Sequence, residues 1–352
     1  MINKKSVKAF LISANKYWQK NWLWYSLGAI LVCLLLAGYA FRQAWQPVVS
    51  VEPVVEEKVL TFRHPLTGQL LAAEISRPQV FAVMVENSAD AWPLAGIDDA
   101  FLVIEAPVEA GIPRFEAFFA ADQDAEKIGP VRSARPYYLD WAEEFGAMYV
   151  HVGGSPDALN LIAAGDLWDL NEFWNGQYFW RSPNRYAPHN TYTSTELLNK
   201  VLIAKKETAP ELNYGLWTFK DDSSTENPSD ADLVLEAGSL AYGLSWKYDQ
   251  EKNNYLRWQG SVEDKVEDGD KVYANNVAVV YTAISVIDSV GRREIETIGE
   301  GEALVLQDGK KIPAVWKKES ANDRLRFFSE DGKEIKWNAG KTWIEVVSTL
   351  DK

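Results

Sequence analysis

The sequence predicts an α/β fold, with α+β left open, in which a main domain with a mixed or mostly parallel sheet precedes a smaller, mostly β domain. Three observations lead to this prediction. Near-continuous apolar runs alternate with capped helical segments as far as residue 194. Short runs separated by Asp-Gly turns fill the C-terminal third, and one long apolar stretch stands near the N-terminus. Alternating strands and helices are typical of layered α/β domains, whereas short strands between turns are typical of β domains.

The apolar stretch at residues 22–41 contains no charged side chain. At 1.5 Å per residue it would extend about 30 Å, the thickness of the hydrocarbon core of a bilayer. The five lysines that precede it predict a cytoplasmic N-terminus and an extracytoplasmic body. A cleaved signal peptide is the alternative, although its apolar core is usually shorter. We therefore expect a single-pass cell-membrane protein with a cytoplasmic tail at 1–21, an uncleaved transmembrane signal anchor at 22–41 and a spacer at 42–60.

Charge is distributed unevenly along the chain. The first 43 residues carry six basic side chains and no acid, so the net charge of −14 for the whole chain leaves −20 for the rest. A body that acidic argues against nucleic acid as a partner, because nucleic-acid binding requires basic surface. The single cysteine, Cys33, lies in the apolar stretch, so no disulfide is expected in the body of the protein.

The main domain is expected at residues 61–220. Its apolar runs predict strands, and Ser155 and Ser194 stand where N-capping residues belong, with Pro156 at the first helical position of the first of these helices. The predicted strands cover residues 79–86, 100–106, 114–121 and 147–152, and the predicted helices cover 136–145, 156–164 and 195–207.

A polar, turn-rich stretch at residues 221–231 predicts a linker to a β-rich domain at 232–352. Strands are expected there at residues 240–248, 255–258, 276–287, 303–306, 312–316, 324–328 and 342–347. Asp308-Gly309 and Asp331-Gly332 are typical hairpin turns between such strands.

The motif GPVRSARPYY places two arginines three residues apart, immediately before a predicted helix. Guanidinium groups bind anions by charge and by directed hydrogen bonds, and backbone N–H groups can add to such a site. Arg132, Arg135 and the nearby Arg114 supply the guanidinium groups here, and the segment around Ser133 supplies the backbone. Surface ion pairing with neighbouring acids is the alternative interpretation. We predict that these four residues belong to a ligand-binding site.

Two further motifs supply candidates for the same site. In YVHVGGSP, His151 precedes a turn of Gly153, Gly154 and Ser155 at a predicted strand-to-helix junction, where backbone N–H groups can receive an anion.

In RSPNRYAPHNTYTS, Arg181, His189 and Asn190 lie among prolines and aromatic residues, a composition that is typical of a binding loop on a rigid scaffold. Tight-turn packing and local ion pairing are the alternatives for these two motifs.

Catalysis is left open, although we expect binding rather than turnover. The catalytic candidates are His151, His189, Glu105 and Glu109, since histidine suits acid–base chemistry near neutral pH and a carboxylate could act as a base. The two glutamates could equally anchor the arginines or hold a cation. The sequence contains no Cys–His cluster, H-E-x-x-H or G-x-S-x-G motif, and we expect neither a metal nor a cofactor.

Several long motifs, in order, give the chain a family resemblance. The chain resembles the YerB-like lipoprotein family with its DUF3048 domains in six motifs. In chain order these are HPLTGQ, EAPVEAGIPRFEAFF, KIGPVRSARPYYLD, MYVHVGGSPDAL, RYAPHNTYTS and, near the end, DGKEIKWNAGKTWIEV. The resemblance covers residues 61–348 and implies a two-domain, envelope-attached bacterial protein. Cys33 follows a valine within the apolar run, so we expect a helical anchor in place of lipidation.

The leading functional hypothesis is a membrane-anchored envelope protein that binds an anionic cell-wall or lipid-linked ligand through its arginines and histidines. The first alternative is an envelope hydrolase or transferase acting on a phosphodiester or pyrophosphate. The second is a scaffold that docks an envelope protein partner through aromatic residues of the β domain.

Overall fold

The structure is a computed structural model that describes residues 4–45, 62–165, 167–205, 212–226, 228, 231–236 and 242–352. The chain divides into two compact units, Met1–Lys58 and Val59–Lys352. The first unit contains one helix, α1 (Lys4–Ala44), which is long and apolar enough to cross a membrane. This helix continues beyond both ends of the predicted span, while most of the predicted spacer lies outside the described residues.

The second unit combines short helices with many strands. Within the described residues its helices are α2 (Pro136–Glu143), α3 (Pro156–Ala164), α4 (Glu172–Asn175) and α5 (Thr195–Ala204). Its first strands are β1 (Phe62–Arg63), β2 (Leu70–Leu71), β3 (Val80–Glu86), β4 (Leu102–Pro107), β5 (Pro113–Ala120), β6 (Met148–His151), β7 (Asp169–Asn171), β8 (Trp180–Arg181) and β9 (Thr191–Tyr192). The strands predicted in this region are confirmed.

The C-terminal part is rich in strands, as predicted. They are β10 (Phe219–Lys220), β11 (Leu233–Leu235), β12 (Leu244–Asp249), β13 (Asn254–Gln259), β14 (Val262–Glu263), β15 (Tyr273–Ala274), β16 (Asn276–Thr282), β17 (Ile284–Val286), β18 (Arg293–Ile295), β19 (Gly299–Gln307), β20 (Lys310–Lys318), β21 (Arg326–Ser329), β22 (Trp337–Asn338) and β23 (Thr342–Ser348). Asp308 and Gly309 join β19 to β20 with φ of 54° and 70°, the left-handed backbone that a tight hairpin turn requires.

A ten-stranded mixed sheet forms the centre of the second unit. Its order is β21-β20-β19-β16-β23-β4-β5-β3-β6-β7. Strand β23 pairs in parallel with both β16 and β4, so strands from the N-terminal and C-terminal segments share one hydrogen-bonded sheet. Strands β3, β6 and β7 are also parallel, and their carboxyl ends at Glu86, His151 and Asn171 form what we call the carboxyl edge.

Apolar cores cover both faces of this sheet, which explains the near-continuous apolar runs of β3, β4 and β5. One core contains the buried residues of α2 and α3, and the other contains those of α5 and of the smaller sheet formed by β11–β15. Most of the C-terminal tryptophans belong to these cores rather than to the surface: Trp246, Trp316, Trp337 and Trp343 are buried.

Candidate functional site

The arginine motif lies at the carboxyl edge because its backbone is inserted between the ends of two parallel strands. Arg132 N donates to Met84 O at 2.8 Å, and Val152 N donates to Arg132 O at 3.0 Å. Ala134 N then donates to Gly153 O at 3.0 Å. Helix α2 follows at once, with Arg135 as its N-cap residue. The ladder therefore fixes the position from which each arginine side chain extends.

Arg135 forms a two-pronged ion pair with Glu109. Its Nε and Nη2 donate to Oε1 and Oε2 at 2.8 and 2.6 Å, while Nη1 donates to Ala134 O at 2.7 Å. Burial alone would raise the pKa of the Glu109 carboxyl, but the hydrogen bonds and charge of Arg135 lower it below its usual value. Of the roles considered for Glu109, the geometry supports that of an anchor for an arginine.

Glu86, which the sequence interpretation missed, joins Arg132 to His189. Arg132 Nε lies 3.2 Å from Glu86 Oε1 without forming a hydrogen bond, and His189 Nδ1 lies 2.8 Å from Oε2. Ser88 Oγ also donates to Glu86 Oε1 at 2.9 Å. The side chains of Arg132 and His189 are 22% and 24% exposed, so both can be reached from solvent. Glu86 directly follows the VFAVMV run, which is the only signal in the sequence for its place at a strand end.

Arg114 completes what we call the open cluster, which contains Arg114, Arg132 and Arg135 with the carboxylates of Glu86 and Glu109. Its Nη1 donates to Ser133 O at 2.9 Å, and no carboxylate of the described residues forms an ion pair with it. Burial and the charges of Arg135 and Arg132 lower the pKa of the Arg114 guanidinium to about 10. The open cluster therefore contains two carboxylates and three guanidinium groups, of which only those of Arg132 and Arg135 are paired, and it has an excess of positive charge.

His151 has partners on both ring nitrogens. Nδ1 lies 2.6 Å from Gly153 O and Nε2 lies 2.5 Å from Asp169 Oδ1, and the side chain is fully buried. Because both nitrogens are engaged inside the protein, this ring is poorly placed to exchange a proton with a ligand.

The glycine turn after His151 serves close packing. Gly153 has φ of +59°, and a Cβ there would lie 2.9 Å from the ring of Phe173. A Cβ at Gly154 would lie 3.1 Å from Ala134. Ser155 Oγ accepts a hydrogen bond from Ala158 N and thus caps α3. The contacts of these three residues account for a tight strand-to-helix junction, and their role in ligand binding stays a prediction.

Arg181 and Asn190 form a separate contact on the loop between β8 and β9. Arg181 Nη1 donates to Asn190 Oδ1 at 3.2 Å and its Nη2 donates to Glu172 Oε1 at 3.0 Å. Within the described residues, neither side chain contacts the open cluster. Two exposed aromatic side chains that the sequence interpretation missed lie on α4 and on the loop between β8 and β9: Trp174 is 82% exposed and Tyr186 is 92% exposed.

Glu105 belongs to a different assembly, which we call the closed cluster, between the large sheet and the β11–β15 sheet. Arg257 Nη2 donates to both carboxylate oxygens of Glu105 at 2.8 Å, and Arg257 Nη1 donates to Asp264. Trp343 Nε1 donates to Glu105 Oε2 at 3.2 Å, and Asn87 Nδ2 donates to Glu105 Oε1 at 3.1 Å. Since the carboxylate is buried and fully engaged, Glu105 acts in the structure as an ion-pair anchor.

The closed cluster contains a further acid next to Glu105. Burial, together with the charge of Glu105, raises the pKa of the Glu345 carboxyl well above its usual range. This shift favours the neutral form of Glu345, whereas Glu105 and Asp264 are the two carboxylates that pair with Arg257. Groups of three or more potential metal-ligating side chains are not found in the part of the chain that the structure describes.

Comparisons with known proteins agree with this architecture. The family models described as Protein of unknown function (DUF3048) N-terminal domain and DUF3048 C-terminal domain match residues 66–209 and 234–344. Putative lipoprotein YerB of Bacillus subtilis (strain 168) is 31% identical over 300 residues, which cover 84% of this chain and 89% of YerB. The crystal structure of the Bacillus subtilis YerB protein has a TM-score of 0.70 and 30% identity, and covers 82% of this chain and 97% of that one. The chain therefore belongs to the YerB-like family with DUF3048 N-terminal and C-terminal domains.

Proposed function

We propose that the protein is a membrane-anchored envelope protein that binds an anionic group at the open cluster. Helix α1 is apolar enough to serve as the anchor, and the relative described as a putative lipoprotein is consistent with an envelope location. The lysines before the apolar stretch favour a cytoplasmic N-terminus, which would place the second unit outside the cytoplasm.

One observation carries the binding proposal: the open cluster has three guanidinium groups but only two carboxylates. Within the described residues, Arg114 donates to one carbonyl oxygen, that of Ser133, although a guanidinium carries five N–H donors. An anion beside the partly exposed Arg132 would supply acceptors to that side chain and negative charge close to the buried Arg114. Since the rest of the body is strongly acidic, long-range attraction is weak and recognition depends on these local contacts.

The ligand class that fits is a phosphate, pyrophosphate or carboxylate carried by a cell-wall polymer or by a lipid-linked precursor. Guanidinium groups bind such planar or tetrahedral anions with paired hydrogen bonds, which are stronger than neutral ones. The exposed Trp174 on α4 and Tyr186 on the loop between β8 and β9 offer apolar surface to the uncharged part of such a ligand.

A second candidate function, hydrolysis or transfer at a phosphodiester or pyrophosphate, is favoured by one contact. His189 lies 2.8 Å from the carboxylate of Glu86 and stays partly exposed beside Arg132. A carboxylate that orients an imidazole near a cationic group is a common arrangement for acid–base chemistry. Turnover of a lipid-linked pyrophosphate that is lost in His189→Gln would support this candidate.

The binding proposal can be tested by thermal unfolding of the full chain in detergent with phosphate, pyrophosphate, teichoic-acid fragments and muropeptides. A ligand at 100 times its Kd stabilises the folded state by about 2.7 kcal/mol, which raises the Tm by several degrees. We expect Arg132→Ala to remove this rise. Arg326→Ala is the matched control, because Arg326 is also partly exposed and paired with a single acid, Glu334.

The proposal fails if no anionic probe raises the Tm of the wild-type chain. It also fails if Arg132→Ala and Arg326→Ala reduce the rise equally, since the effect would then reflect general charge. A rise that disappears only in Arg132→Ala would assign anion binding to the open cluster.

A further inference from the structure

A cavity lies at the amino edge of the parallel strands β6 and β7, opposite the carboxyl edge that carries the open cluster. It is lined by the end of α2, the residues that precede these two strands, the loop at residues 213–214 and the turn between β20 and β21. Its volume of about 480 Å³ falls within the roughly 300–1,000 Å³ that is usual for small-molecule sites. The open cluster contributes none of its lining residues.

The wall of this cavity combines aromatic surface with polar groups that have no partner in the protein. The partly exposed Trp168 supplies the aromatic surface, and the buried Tyr214 lies behind the wall. Glu143, Asn213 and Asn322 supply a carboxylate and two carboxamides, and their side chains form no hydrogen bond with the described residues. The indole N–H of Trp168 is likewise without an acceptor there. The wall therefore presents both donors and acceptors next to apolar surface.

The floor of the cavity contains the buried carboxylate of Glu144, which is held by two cations. Glu144 Oε2 accepts hydrogen bonds from Arg324 and, at 3.1 Å, from Leu325 N. Its Oε1 lies 3.3 Å from Nζ of Lys318, and the Glu144 side chain is only 1% exposed. Since this carboxylate is buried and ion-paired, the polar groups that a ligand can reach are those of the wall.

This cavity differs from the open cluster in its charge. Arg324 and Lys318 neutralise Glu144, and Glu143 remains as an acid at the wall. An anionic ligand would be repelled by Glu143. A neutral ligand with many hydroxyl groups would donate to the Glu143 carboxylate, exchange hydrogen bonds with the carboxamides of Asn213 and Asn322 and place an apolar face against the Trp168 ring.

The cavity also extends sideways. Asn213 and Asn322 line a second cavity of about 370 Å³ as well, so the two cavities adjoin at this asparagine pair. Its basic residues are Lys317, Arg324 and Arg326, and each of them is paired with an acid. The acids are Glu300, Glu144 and Glu334, so these side chains leave no excess of positive charge. An elongated neutral ligand fits two adjoining cavities better than a single compact molecule does.

We propose that this pair of cavities binds a neutral oligosaccharide, with Trp168 as the aromatic contact and Glu143, Asn213 and Asn322 as its hydrogen-bonding groups. The inference goes beyond the proposed anion binding and does not depend on it, because the two sites lie at opposite edges of the sheet and share no residue.

The test is isothermal titration of the full chain, in a detergent whose head group carries no sugar, with tetramers of N-acetylglucosamine and of glucose. We expect binding of one of them, and the same affinity with and without excess pyrophosphate. Trp168→Ala should weaken binding about 10-fold or more, as aromatic anchors of binding sites do. Asn322→Ala removes hydrogen bonds at an exposed position and should weaken binding about 3- to 10-fold.

Asn160→Ala is the matched control, because Asn160 is an exposed asparagine on α3 that lines a different cavity, and it should leave the affinity unchanged. Absence of binding of both tetramers at millimolar concentration overturns the proposal. So does a Kd that is unchanged in Asn322→Ala, a variant that is not expected to affect folding. Competition by pyrophosphate would place the sugar at the open cluster and overturn it too.

Discussion

The two arginine clusters of this protein lie at the same edge of one sheet but on different faces, and they differ in how their charges are matched. In the closed cluster, Arg257 is fully buried and is held by Glu105 and Asp264. In the open cluster, three guanidinium groups face two carboxylates, and Arg132 is still partly exposed.

This difference separates an architectural role from a binding role. Removing a charged group from water costs free energy that only close partners offset, so a fully buried arginine requires matched acids. The closed cluster meets that requirement and joins β4 of the N-terminal segment to β13 of the C-terminal segment. In the open cluster, Arg114 is buried without an ion-pair partner among the described residues and Arg132 is partly exposed, an arrangement that an anionic ligand beside Arg132 can complete.

The largest effect is expected when the closed cluster is broken. Arg257→Leu leaves Glu105 and Asp264 buried without their partner and should lower the free energy of unfolding by about 3–5 kcal/mol. Urea denaturation followed by tryptophan fluorescence measures this change. Arg326→Ala, which breaks an exposed pair, should cost less than about 1 kcal/mol. Equal costs for the two variants would remove the distinction between the clusters.

Glu116 is a buried acid that has no arginine partner among the described residues, in contrast to Glu105. Both carboxylate oxygens of Glu116 lack a hydrogen-bond partner among the described residues, and burial, helped by Glu144 and Asp140, raises its pKa well above the usual value. The folded state therefore keeps a proton that the unfolded chain releases above about pH 4.5. The stabilisation that Glu116 contributes is complete below that pH and is lost as the pH rises towards the folded-state pKa.

Glu116→Gln cannot ionise, so we expect it to gain stability relative to the wild type as the pH rises from 5 to 8. Between the unfolded-state and the folded-state pKa of Glu116, this gain should grow by about 1.4 kcal/mol for each unit of pH. Urea denaturation of both proteins at several pH values provides the measurement. A stability difference that is independent of pH would show that Glu116 is ionised in the folded protein.

The smallest effect concerns the helix that begins beside the open cluster. Ser155→Ala removes the side-chain cap of α3 and should cost about 1 kcal/mol of stability. Ser155→Asp retains an acceptor and should restore most of it. If Ser155→Ala instead abolished anion binding without changing the Tm, Ser155 would belong to the binding site rather than to the helix cap alone.

The sequence could predict elements because their signals are local. The run at residues 79–86 is a buried strand, Ser155 and Ser194 cap helices, and Asp308-Gly309 is a hairpin turn, all as expected. Each of these signals depends on neighbours within a few residues. The end of the last helix was predicted less well: α5 ends at Ala204, and residues 206–211 lie outside the described part.

The sequence by itself thus determined the long apolar helix, the strands and shorter helices, and the presence of two arginines just before a helix. Only the tertiary structure decided which acid each arginine meets. Glu105 lies 152 residues from Arg257, and Glu86 lies 103 residues from His189. The physical reason is that an ion pair acts over a few ångströms in space whatever the separation along the chain, so its partners are fixed only once the sheet has assembled.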